Sequence, residues 1–209
     1  MPRKTLLFAL LLAAPPVLAD VSGNIGWQSH YIYRGIPQSE SSAQGGLDYE
    51  GGGFYLGTWA ADVGMGAEVD LYGGYNWTVQ DFSFGIGTTG YFYTDDFDDT
   101  YKELNLSVGH SSLTLDFATG EYDNFTGPTQ DYNFLSATYE HASGVYGVIG
   151  GFGGDFDGDY YSLGYGFALE GIDLSLAWVY TDDKLGGGDE DNNIVFSIGK
   201  SFDLNRKPQ

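Results

Sequence analysis

The chain of 209 residues carries 33 Gly, 17 Tyr, 14 Phe and 4 Trp, with 8 basic against 29 acidic side chains. Its net charge of −21 repels phosphate backbones and argues against a nucleic-acid partner. The absence of Cys removes disulfide scaffolds, thiol catalysis and Cys-ligated metals, and so many aromatic residues are the opposite of a disordered composition.

In chain order, Arg3 and Lys4 precede an apolar run from Leu6 to Ala14 and a small-residue site at Val17-Leu18-Ala19. This predicts a signal peptide over 1–19, cleaved before Asp20, and leaves 20–209 as a single exported domain. A membrane anchor is the competing reading. The run is shorter than the ~20 residues a spanning helix needs, however, and Pro15 and Pro16 follow it. No later segment is apolar for long enough to make a membrane helix.

Beyond the leader the hydrophobic period is two. In 172–180, Ile172, Leu174, Leu176, Trp178 and Tyr180 alternate with Asp173, Ser175, Ala177 and Val179, an apolar stripe along one face of a strand. Leu104, Leu106 and Val108 stand likewise against Glu103, Asn105 and Ser107, and Leu113, Leu115 and Phe117 against Thr114, Asp116 and Ala118. Such segments predict twelve strands near 21–34, 43–50, 54–61, 67–79, 82–93, 101–109, 112–122, 130–140, 145–152, 160–169, 172–181 and 192–202.

Every second connection is short, as at Gln80-Asp81, His110-Ser111 and Glu170-Gly171. Those between are mostly longer and polar, over 35–42, 94–100, 123–129, 153–159 and 182–191, with 62–66 a short exception. An even number of strands with this alternation predicts an antiparallel transmembrane β-barrel, short turns in the periplasm and acidic loops outside. A soluble lipocalin-like barrel would point the apolar stripe inward instead. Opposite the stripe lie Gly85, Gly87, Ser162, Gly164, Gly166 and Ser175, too small to fill a soluble core but suited to a lumen. The expected location is the outer membrane of a Gram-negative bacterium, reached through the barrel-assembly machinery, with lipid and lipopolysaccharide as partners. The last strand, ending in Phe202, resembles an outer-membrane targeting strand.

The N-terminal third carries Tyr33-Arg34-Gly35, Gln38-Ser39, Gln44-Gly45-Gly46-Leu47-Asp48-Tyr49 and Gly53-Phe54-Tyr55-Leu56-Gly57-Thr58-Trp59. This resembles the TorF family of porins, also filed as the Gcw_chp family of unknown function, with departures at Pro37, Ser42 and Ala61-Asp62. The resemblance implies an outer-membrane barrel and a pore, with no substrate and no catalytic residue to carry over.

Strand parity turns Arg34, Asp48, Glu50, Glu68, Asp70, Glu103, Asp116 and Asp173 inward as pore-lining candidates. Arg34 is the one basic residue assigned to the lumen, sharing a face with His30 and expected to pair with Glu40 or Asp191. Inward Tyr72, Tyr91 and Tyr93 are candidates to plug a small lumen. Asp155, Asp157 and Asp159, around Gly158, start like a Ca²⁺ loop but lack the distal Glu of an EF-hand. They read as a solvated loop or a weak Ca²⁺ or Mg²⁺ site; no other cofactor is expected. His30, His110 and His141 do not cluster with a nucleophile, so an enzyme is not expected. The reading is a narrow porin for small solutes, cation-selective through its acidic lining. The alternative is a closed barrel acting in adhesion, or in binding divalent cations and lipopolysaccharide through its loops.

Overall fold

A computed structural model describes residues 20–205; the leader assigned to 1–19 lies outside them. Twelve strands follow one another: β1 Asp20–Tyr33, β2 Ile36–Gly51, β3 Phe54–Asp62, β4 Ala67–Val79, β5 Phe82–Tyr93, β6 Tyr101–His110, β7 Leu113–Tyr122, β8 Gln130–Glu140, β9 Val145–Gly154, β10 Gly158–Leu169, β11 Ile172–Thr181 and β12 Asp191–Asp203. Each pairs antiparallel with its neighbour in sequence, and β1 closes on β12 from Ser22↔Asp203 to Gln28↔Ser197. Closure leaves no free sheet edge, the condition for a sheet in lipid.

The outward face is apolar all the way round. Ile25, Leu56, Leu71, Ile149, Leu163 and Ile194 are each more than half exposed, and every strand contributes at least one exposed large apolar residue. In water an apolar surface of this extent would drive association; a bilayer covers it. Near the short-turn end an outward belt stacks Tyr75 on Trp77, Trp77 on Phe84 and Phe82 on His110. At the other end Tyr161, Tyr180 and Trp178 are in ring contact. Two such girdles bracket the hydrocarbon layer in membrane barrels.

Two stretches expected to be loops are mostly strand. Residues 36–42 belong to β2, because Arg34 (φ 49°) and Gly35 (φ 86°) make a two-residue turn with both φ values positive, the twist a hairpin favours. The connection expected over 153–159 shrinks to 155–157. The longer connections on that side are 94–100, 123–129 and 182–190.

The inward face alternates large and small by register. Tyr55, Tyr72, Tyr132, Tyr146 and Tyr160 stand directly opposite Gly74, Gly57, Gly120, Gly164 and Gly150. A methyl on Gly57 would lie 2.6 Å from Tyr72 Cζ, and one on Gly150 2.6 Å from Tyr160 Cε1. The glycines are therefore slots in which tyrosine rings lie against the wall, the cross-strand cover that keeps Gly tolerable in a sheet.

Candidate functional site

The site is the outer half of the barrel interior. It begins with a break in the alternation of β1: Gln28 and Tyr31 are both buried although one is even and the other odd. Regular pairing with β12 ends at Gln28, the Phe196 amide donates to Ser29 Oγ at 2.9 Å, and the register to β2 shifts between Tyr31 and Ile32. Such irregularities re-aim side chains. Here the break between Gln28 and Tyr31 turns Tyr31 and Tyr33 into the lumen and ends parity as a guide to Arg34, which sits in the turn.

The turn tucks inward. Gly35 is buried, its carbonyl accepts from Thr181 Oγ1 at 2.7 Å, and a Cβ on it would meet Tyr160 at 2.6 Å. From there the Arg34 guanidinium reaches Glu103 on β6, five strands round the barrel. Nη1 donates to Oε1 at 2.5 Å and Nη2 to Oε2 at 3.1 Å. Neither Glu40 nor Asp191 is the partner. Carboxylates near the turn lose to Glu103 because the bent turn sends the guanidinium across the interior and because Glu103 is the better-supported acceptor. Tyr132 donates to its Oε1 at 2.8 Å, and Tyr91 and Asn105 to its Oε2 at 3.2 and 2.7 Å. The guanidinium also lies over Phe134, 4.3 Å from the ring centroid, and over Tyr33 at 4.9 Å. Tyr33 and Tyr91 hydroxyls meet at 2.6 Å, a second link across the interior.

Beside this bridge, Tyr31 donates to Glu68 Oε1 at 2.7 Å, and Asp70 faces the lumen two residues further along β4. Above it, the 94–100 and 155–157 loops fold inward. Asp98 accepts from Tyr101 at 2.9 Å and Tyr122 at 2.7 Å, and Phe156 stacks on Tyr132 with centroids 5.0 Å apart. Phe97 packs on the Tyr31, Ala61 and Val63 cluster.

The other inward candidates lie towards the short-turn end. Asp48 accepts from Tyr72 at 2.5 Å and from Asn24 at 3.4 Å. Asp116 faces Ser107 and Ser136 across its two ladders, Asp173 pairs with Gly199 and Ala168, and Glu50 with Tyr55 and Asp20. Tyr72, Tyr91 and Tyr93 all belong to the inward set, opposite Gly57, Asp70 and Glu68.

Asp155, Asp157 and Asp159 do not converge. Asp155 Oδ2 accepts from the Asp131 amide at 2.9 Å, Asp157 pairs with Lys184 Nζ at 2.5 Å, and Asp159 uses its amide to bond Asp182 Oδ2 at 2.8 Å. The Lys184 ammonium holds the Asp157 carboxyl below its ordinary range. Among the described residues no group of three or more metal-ligating side chains comes together. The histidines are apart: His110 stacks on Phe82, His141 bonds Ser143 in its turn and His30 contacts Ser29.

The family model described as "Bacterial protein of unknown function (Gcw_chp)" matches residues 13–202. The chain belongs to the Gcw_chp family. No curated protein matches it in sequence. Among solved structures, the COG4313 outer membrane channel from Pseudomonas putida F1 is similar at a TM-score of 0.54 and 12% identity, over 91% of this chain and 97% of that one. A chain from a study of in-meso crystallization of membrane proteins is similar at 0.59 and 7% identity, over 89% and 85%. At these identities the likeness is one of fold: a Gcw_chp chain shares the closed antiparallel barrel of outer-membrane proteins.

Proposed function

We propose that the protein is a narrow outer-membrane channel for small cations, constricted in its outer half by the Arg34–Glu103 bridge and the tyrosines around it. The observation that carries this reading is the sign of the interior. Asp48, Glu50, Glu68, Asp70, Glu103, Asp116 and Asp173 face inward within an apolar girdle, against Arg34 as the inward cation. An interior of one sign concentrates counter-ions and repels co-ions, most strongly at low salt, where the Debye length is ~30 Å at 0.01 M. Barrel lipid, lipopolysaccharide and the barrel-assembly machinery are the partners such a placement entails.

The test is a planar bilayer under a KCl gradient. The reversal potential is expected to favour K⁺, the preference to weaken as salt rises, and Arg34→Ala to increase both conductance and K⁺ preference. Anion preference would overturn the reading. A closed barrel acting through its surface is the second reading, favoured by the burial of Tyr31, Tyr91, Glu103, Tyr132 and Phe134, each under 9% exposed. The absence of conductance in both the native protein and Arg34→Ala would select it.

A further inference from the structure

Glu103 is held in place by groups that do not include Arg34. Its Oε1 accepts from Tyr132 on β8, and its Oε2 from Tyr91 on β5 and from Asn105 on its own strand. Asn105 is fixed in turn, its Oδ1 accepting from Thr89 at 2.9 Å. Phe134, two residues beyond Tyr132, supplies a ring beside the carboxylate. Strands β5, β6 and β8 therefore build a cradle, and what fills it arrives from the β1–β2 turn on the far side of the barrel.

The filling is a planar fork. Each Nη of Arg34 takes one carboxylate oxygen, and the rings of Phe134 and Tyr33 lie 4.3 and 4.9 Å from the guanidinium carbon. A two-oxygen acceptor beside ring faces suits a flat, weakly hydrated cation. An alkylammonium is a compact, strongly hydrated point charge and makes no such fork. Arg34 itself stands at φ 49°, the first of two positive-φ positions where a hairpin turn favours Asn, Asp or Gly. The turn does not call for an arginine; the cradle does.

We infer that the Glu103 cradle is a binding site for solutes carrying a guanidinium group, which Arg34 fills as a tethered occupant and yields to a guest of the same chemistry. The inference rests on the channel reading and narrows its substrate class from small cations to alkylguanidinium ions. One carboxylate cannot hold two forks, so a guest enters as Arg34 leaves, and the outer constriction opens in the same step. Asp116 on β7 provides the next carboxylate towards the short-turn end. It faces inward between Ser107 and Ser136, takes part in none of the ion pairs among the described residues, and lies within the field of Arg34.

The experiment has two arms, both on the folded full chain. In detergent, Arg34→Ala empties the cradle while the hydrogen bonds from Tyr132, Tyr91 and Asn105 remain. Methylguanidinium chloride, at millimolar concentration and far below denaturing levels, is expected to raise the unfolding temperature of this variant saturably. Methylammonium chloride should need about ten-fold more for the same rise, since it cannot fork. Arg34→Ala/Glu103→Gln should not distinguish the two salts; should it not fold, the comparison on Arg34→Ala decides alone. In planar bilayers, native protein with methylguanidinium on one side and methylammonium on the other is expected to show a reversal potential favouring methylguanidinium. Sieving by size predicts the reverse, because methylammonium is the smaller ion. Equal rises on Arg34→Ala, or a native preference for methylammonium, would overturn the inference while K⁺ selectivity under a KCl gradient still stood. A native protein that conducts neither K⁺ nor methylguanidinium would overturn the channel reading and the solute class with it, leaving Arg34 a fixed structural plug.

Discussion

Arg34 and Glu103 are 69 residues apart in sequence and sit on opposite flanks of the barrel, yet their side chains meet in a fork of two hydrogen bonds. Lys184 and Asp157 approach just as closely, at 2.5 Å. What separates the pairs is solvent. The side chains of Arg34 and Glu103 are 17% and 1% exposed, those of Lys184 and Asp157 54% and 69%. Water screens the second pair, while the first exerts its attraction in a medium of low effective dielectric and leaves a buried charge behind if one partner goes.

Arg34→Ala is accordingly expected to destabilise the barrel by ~3–5 kcal/mol, because Glu103 would remain buried without its counter-charge. Replacing both partners, as Arg34→Met/Glu103→Leu, should recover most of that loss. Equilibrium unfolding in urea, in detergent, measures both. A double variant no more stable than Arg34→Ala would mean that the tyrosines, not the ion pair, set the cost.

Lys184→Ala is expected to leave the unfolding midpoint unchanged within error, since exposed pairs contribute little once screened. The bridge joins the 155–157 and 182–190 connections, so its loss should appear instead as faster proteolysis of those loops in the folded protein.

The tyrosine rings over glycine make a different prediction. Gly57 lies under Tyr72, whose hydroxyl also donates to Asp48. Gly57→Ala places a methyl where the ring is and should cost ~1–3 kcal/mol by overpacking. In Tyr72→Ala the ring is gone and Asp48, the other group within 2.6 Å of such a methyl, loses the hydroxyl that holds it there, so adding Gly57→Ala should then cost much less. A double-mutant cycle reads this coupling directly; additive costs would show that the ring moves aside freely.

These rings also mark where sequence reading stopped. The twelve strands were legible because most carry a period-two apolar stripe between turn signals, as in Leu104, Leu106 and Val108. The inward glycines suggested open space, since a glycine is a gap until its cross-strand neighbour is known, and the register that sets Tyr132 against Gly120 is a product of the folded sheet. Arg34 was legible as a lumen cation, but its partner was not. Parity counts assume an unbroken strand, and the alternation of β1 breaks between Gln28 and Tyr31, where pairing with β12 ends. Glu103 becomes reachable only when β12 closes on β1 and curls the distant β6 round to face the turn. The 36–42 segment, polar on both faces, carries no stripe; a turn at Arg34-Gly35 and backbone pairing alone make it a strand.

The assignment of faces has its own test, in which two arginines on facing parities should behave oppositely. Leu106 stands mid-strand on β6 between Ile86 and Phe117, 42% exposed before lipid covers it. Leu106→Arg would put a charge near the bilayer midplane, at ~2–4 kcal/mol, and is expected to reduce the folded fraction in the membrane. Ser175 lies on the inward face opposite Gly166 and Ser197, where a methyl on Gly166 would still clear its Cβ by 3.7 Å. Ser175→Arg gives up a hydrogen bond to Tyr146 but stays on the inward face with a carboxylate neighbour at Asp173, and should assemble normally. The readout is migration of unboiled against boiled protein, which separates a closed hydrogen-bonded ring from the unfolded chain. Native protein and Ser175→Arg should show the shift, and Leu106→Arg should show it weakly or not at all. Equal assembly of both variants would mean that the apolar face does not lie in lipid, and with it the membrane placement would fall.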